Sequence, residues 1–145
     1  MNRKTAYTAF LLLHLIYVAV AQNYRPAIRQ QLLAVDTIKN DSVALITLEQ
    51  LVKKENLTQE ELLRTNARII LRANATQQFS KSVKLATEGI AMAQKEGLDS
   101  LEGMFNSLAA ITDYFMERRQ EAIVHFREAI RIAQKNNFWE MEQRS

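Results

Sequence analysis

No cysteine occurs anywhere in the 145 residues, which excludes disulfide crosslinks and thiolate chemistry alike. Glycine occurs three times and proline once. Strands and hairpins need more turn residues than that, so long helices joined by short turns are the economical expectation and the fold class is all-α. Histidine is almost as scarce: one of the two, His14, lies in the apolar N-terminal stretch, leaving His125 alone in the rest of the chain. One histidine without cysteine cannot supply the usual zinc ligands, so no metal is expected, and His125 reads as a helix-surface residue. Gly-rich phosphate loops and nucleophile elbows are missing as well. The many carboxylates fall where helix caps and surface pairs such as Glu128–Arg131 want them. The expectation is therefore no enzyme, no catalytic residue and no cofactor. A helical hydrolase or lyase using scattered carboxylates would need a closed pocket.

Long runs of one charge sign are also absent, so no nucleic-acid partner is expected. The basic excess itself is partly a matter of the N-terminus. Arg3 and Lys4 precede a mostly apolar stretch from Ala6 to Val18, and Ala19-Val20-Ala21 is a small-x-small cleavage site before Gln22. This is the layout of a secretory signal peptide over residues 1–21. The alternative is an uncleaved membrane anchor through residues 6–21, although the apolar run is short against the ~20 residues a spanning helix needs. Removing 1–21 takes away two basic residues and no acid, and leaves 17 lysines and arginines against 16 acids. An exported protein without cysteine must be held together by its core.

What is present is helical patterning. Pro26 suits the first turn of a helix that carries Ile28, Leu32, Leu33 and Val35 and ends by Asn40. Asn40-Asp41-Ser42 reads as a turn and N-cap before a helix with Val43, Leu45, Ile46, Leu48, Leu51 and Val52. Thr58 and Glu61 fit a capping box for the next helix, which runs to about Ala73. Residues 74–80 are a polar break with Phe79 as a plug, and Ser80 can cap a helix from Lys81 to Glu96. Gly97 suits the left-handed position that ends it, with Leu98 as the following apolar contact. Asp99 to Glu102 resembles a second capping box, opening a helix to about Phe115. Glu117 to Arg119 form a turn before a helix from Gln120 to about Asn136, and residues 138–145 begin a further helix.

The chain also repeats itself. Residues 81–95 and 121–135 share five identities in 15 positions, among them Ile90/Ile130 and Ala93/Ala133. A further shift of 40 places Ser42 to Thr47 on Ser82 to Thr87 with four of six positions identical. Three copies at one period predict an array of helix pairs, spanning about 24–56, 58–97 and 99–137 within one domain, 22–145. In the last copy Ala122, Ile123, Phe126, Ala129, Ile130 and Ala133 form one apolar stripe. Small Gly89 and Ala129 let the paired helix come close.

At Ala122-Ile123-Val124-His125-Phe126-Arg127-Glu128-Ala129-Ile130 the sequence resembles the second helix of the tetratricopeptide repeat family. The earlier copy departs further, with Ser82, Ala86 and Gly89 in the corresponding slots. Leu108-Ala109-Ala110 and Tyr114 come near the first-helix pattern, and the period of 40 matches the longer-repeat variants better than the usual 34. The resemblance implies an α-solenoid of about three antiparallel helix pairs that binds protein or peptide. With the signal peptide, it implies an exported interaction module, free or as the N-terminal sensor part of a bacterial signalling protein. A membrane-anchored scaffold that self-associates is the alternative. Ligands of that family usually lie against the first helix of each pair, where Arg64, Arg68 and Arg72 recur at i, i+4 and i+8 with Asn66 and Asn74 beside them. This basic ridge, ~12 Å long, could hold acidic side chains through forked hydrogen bonds, or be a solvated face. Phe138, Trp139 and Met141 are candidate exposed contacts for a partner. Asn40, Asn56 and Asn74 begin glycosylation triplets.

Overall fold

The structure is a computed structural model that describes residues 24–136. The expected signal peptide and Phe138, Trp139 and Met141 lie outside the described residues. Six helices follow one another: α1 (Pro26–Asp36), α2 (Asp41–Lys54), α3 (Gln59–Ala75), α4 (Phe79–Glu96), α5 (Asp99–Phe115) and α6 (Arg119–Lys135). They pack in sequential antiparallel pairs. Each helix touches its neighbours in the chain, and α3 also touches α5; α1 reaches neither α5 nor α6.

The last four helices start at residues 59, 79, 99 and 119, a stride of 20 residues. The stops of α3, α4 and α5 share one geometry. At Gly97, with φ 66°, the chain turns left-handed while Leu98 N–H donates to Ala93 O at 2.9 Å and Gly97 N–H to Gln94 O at 3.2 Å. This is the paired bonding that satisfies the last carbonyls of a helix. The same pairing recurs 20 residues to either side, at Gln77 (φ 59°) and Glu117 (φ 61°), where Gln78 N–H donates to Ala73 O and Arg118 N–H to Asp113 O. These two positions hold a conformation that disfavours a side chain by roughly 1 kcal/mol.

Helix starts divide differently. Pro26 opens α1 in the first turn, Asn40 Oδ1 accepts from Val43 N–H at 3.1 Å, and Thr58 and Glu61 form the full capping box. The two other expected caps do not form. α4 starts at Phe79 with Gln78 before it, placing Ser80 inside the helix. α5 starts at Asp99 with Leu98 at its cap position, so Asp99 and Glu102 are helical residues, and Glu102 accepts from Gln94 Nε2 at 2.9 Å instead. The tight turn before the helix moves the start two residues earlier than Ser80 suggests in α4, and one residue earlier than Asp99 suggests in α5.

Two apolar clusters form the core. One joins Ile28, Leu32 and Val35 of α1 to Ala44, Leu45, Leu48 and Leu51 of α2 and Ile69 and Ala73 of α3. The other joins Leu63, Ala67 and Ile70 of α3 to Ala86 and Ala93 of α4 and Leu101, Met104, Phe105, Leu108 and Ala109 of α5. Leu85 packs against both. Gly89 is where α4 and α5 approach most closely: a Cβ there would stand 2.3 Å from the ring of fully buried Phe105.

α4 buries Ser82, Ala86, Gly89 and Ala93, and 40 residues on α6 buries Ala122, Ala129 and Ala133, with Phe126 half-buried. That repeat is structural. In α6 the buried stripe takes in Ile132, whereas Ile123 is 43% exposed, a departure from the expected stripe. Tyr114, expected at an aromatic packing slot, is 48% exposed. The third copy also departs from expectation. Ser82 is buried and Ser42 exposed, and α2 turns Ala44, Leu48 and Leu51 inward. Those residues precede Ser82, Ala86 and Gly89 by 38, as Asp41 precedes Phe79 at the helix starts. The likeness of Ser42–Thr47 to Ser82–Thr87 is therefore out of phase with burial.

Candidate functional site

With α2, α4 and α6 placed in register by burial, two seams between successive helix pairs can be compared side chain by side chain. In the first, Leu85 of α4 packs against the cluster that includes Leu45 and Leu48 of α2 and Ile69 and Ala73 of α3. Lys81 Nζ closes its lip by donating to Glu49 Oε1 of α2 at 2.5 Å. In the second seam, 40 residues on, His125 stands where Leu85 stood, Asp113 where Ala73 stood and Glu121 where Lys81 stood. On the α4 side, 38 residues on, Val83, Ala86 and Thr87 replace Leu45, Leu48 and Glu49.

The exchange trades bulk for polarity and leaves a cleft of about 210 Å³, lined by Val83, Ala86, Thr87, Ala109, Asp113, Arg118, Glu121 and His125. Its wall is a polar chain. Asp113, with a side chain 6% exposed, accepts from Arg118 Nη2 and lies 3.8 Å from His125 Nε2. His125 Nδ1 is 3.1 Å from Asn106 Oδ1, an acceptor that calls for a proton on Nδ1. Asn106 is itself fixed by donating Nδ2 to Glu102 O at 3.0 Å. Burial of an aspartate is costly unless it is paired, and Arg118, brought in by the left-handed turn at Glu117, supplies that pair. The Thr87 hydroxyl is committed to Val83 O at 2.9 Å. Glu121, at the open end, has no ion pair among the described residues.

The arginine ridge does form along α3, and each of its members has an acidic neighbour. Arg64 donates to Glu60 at 2.8 and 3.0 Å, Arg68 to Asp36 of α1 at 2.5 Å, and Arg72 to Asp41 at the start of α2. The ridge thus ties α3 to the first helix pair. Asn66 is half-buried beside it, and Asn74 is 6% exposed, bonded to Thr112 of α5 at 3.0 Å. That burial removes the Asn74 triplet from reach in the folded protein. A related tie holds Glu61, which is 2% exposed. The side chain and N–H of Arg25, with Thr58 N–H, hold its carboxyl down from 4.5 to about 2.

His125 was read from sequence as a surface residue, and Asp113 and Arg118 drew no attention. The cleft needs three helices and a turn to assemble. The signal that could have found it is the substitution of His125 for Leu85 at one repeat position. Among the described residues no group of three or more His, Cys, Asp and Glu converges as metal ligands, and no helix is long and apolar enough to cross a membrane. Compared with known protein families, with curated proteins and with solved structures, the chain matches none.

Proposed function

We propose that the chain is an exported helical-repeat module that binds another protein or a peptide, built as a tetratricopeptide-like α-solenoid. The observation that carries this reading is the stepwise contact order. Helix backbones come close to chain neighbours, and among the described residues the one further close approach is α3 with α5, as in an open stack. Such a stack leaves its seams and faces free for a partner. The 20-residue stride of α3 to α6 and the shared stops of α3, α4 and α5 support it. Export rests on residues 1–21. Of the candidate surfaces, the second seam is preferred over the arginine ridge, because an acidic ligand on the ridge must first displace Glu60, Asp36 and Asp41. The test is affinity capture from the exported fraction with the purified protein, followed by hydrogen exchange on the complex. A stoichiometric partner that slows exchange around residues 83–87 and 118–125 supports the reading; no stoichiometric partner counts against it.

A second reading, a self-associating membrane-anchored scaffold, draws on the first helix pair, where Leu33, Val43 and Ile46 are 56, 50 and 53% exposed. N-terminal sequencing separates the two, since exported protein beginning at Gln22 has no anchor.

A further inference from the structure

We infer that the seam between α4 and α6 is a receptor for one lysine or arginine side chain presented by the partner. The inference rests on the protein-binding reading and adds the chemistry recognised. The first seam shows what such a seam is built to hold. There, Lys81 delivers its ammonium to a carboxylate across the gap. In the second seam Glu121 takes the place of that lysine and Thr87 the place of that carboxylate, so the lip holds one carboxylate and no cation across from it. No lysine or arginine stands at the Thr87 position facing it.

The interior has the matching shape and polarity. Ala86, Ala109 and Val83 give the cleft an apolar wall for a methylene stem. The lining also holds Asp113, whose carboxylate is paired with Arg118. With His125 neutral, the lining carries two carboxylates against one guanidinium, a net negative charge that favours a cation. A volume of about 210 Å³ suits a single side chain and is below the usual pocket for a drug-sized ligand. An acidic side chain would meet Glu121 first and be repelled. A purely apolar one would lie on the apolar wall and leave that carboxylate without a counter-charge.

Chemical-shift titration of the purified protein tests this with two probes of equal stem, N-acetyl-lysine methylamide and N-acetyl-norleucine methylamide. The lysine probe is expected to shift amide signals of residues 83–87, 109–113 and 118–125 saturably, and the norleucine probe to do so at clearly higher concentration. Glu121→Gln should weaken the lysine probe about 3-fold, the scale of a half-exposed ion pair, while Glu49→Gln leaves it unchanged. Equal response to both probes, shifts spread over surface carboxylates generally, or indifference to Glu121→Gln would overturn the inference. A captured partner whose footprint falls elsewhere would also overturn it and leave the protein-binding reading intact. Saturable lysine binding without any captured partner would do the reverse.

Discussion

Across the first seam Leu85 packs against the cluster of Leu45, Leu48, Ile69 and Ala73, and Lys81 reaches Glu49; across the second, His125, Asp113 and Glu121 take the places of Leu85, Ala73 and Lys81, and a cleft remains. Both seams join successive helix pairs at nearly the same register, and the side chains that line them differ. Apolar residues in the first seam contribute stability through burial, on the order of 2 kcal/mol for each fully buried leucine. The second forgoes that contribution and keeps a buried carboxylate that needs Arg118 beside it. A repeat unit that gives up packing where its neighbour keeps it is where a recognition role should be sought.

Four measurements would break or sharpen this comparison. The largest effect belongs to the sealed seam. Leu45→Ala should cost about 2–5 kcal/mol in urea unfolding, while Val83→Ala at the corresponding cleft position costs about 1 kcal/mol or less. Equal losses would mean that the cleft wall is packed as tightly as the first seam. Next come the glycines flanking the second seam. Gly89→Ala must push against Phe105 and should lower stability by about 1–3 kcal/mol. At Gly103 a new Cβ would meet Ile132 at an ordinary 3.4 Å, so Gly103→Ala should gain about 0.5–1 kcal/mol from helix propensity.

A third test uses acid at the first pair's attachment. Because the folded state holds the Glu61 carboxyl at about 2 against an ordinary 4.5, its contribution is complete above pH 4.5 and is lost as pH falls toward 2. Glu61→Gln should cost about 1.5 kcal/mol at neutral pH, and the gap between the two proteins should narrow through that window. The smallest effect is at the lips. Lys81→Met should cost under about 1 kcal/mol, and Glu121→Met next to nothing, since only the first lip holds an ion pair.

Much of the helical plan was legible from sequence because certain residues have one good use. Gly97 marked a left-handed stop, Pro26 a first turn, and Thr58 with Glu61 a capping box. The stops at Gln77 and Glu117 escaped notice because neither residue advertises a positive φ; only the spacing from Gly97 reveals them. The box at Asp99 failed because the turn geometry at Gly97-Leu98 already satisfies the junction. The arginine ridge was legible as a spacing within one helix, and its acidic partners Asp36 and Asp41 were not, since they arrive from other elements. The cleft was hidden for the same reason, compounded by the phase error that aligned Ser42 with Ser82.

The even spacing of α3 to α6 also sets what changes of length the chain can bear. Removing one residue inside α5 would rotate everything after it by about 100°, carrying a different side chain into each contact with α6. An insertion at the exposed turn around Gln77 or Glu117 would leave the rotational setting of both adjoining helices alone. Lengthening of the packed stack itself therefore comes in whole rungs, and a duplicated stretch beginning at one left-handed stop and closing two stops later carries everything needed to dock on its predecessor.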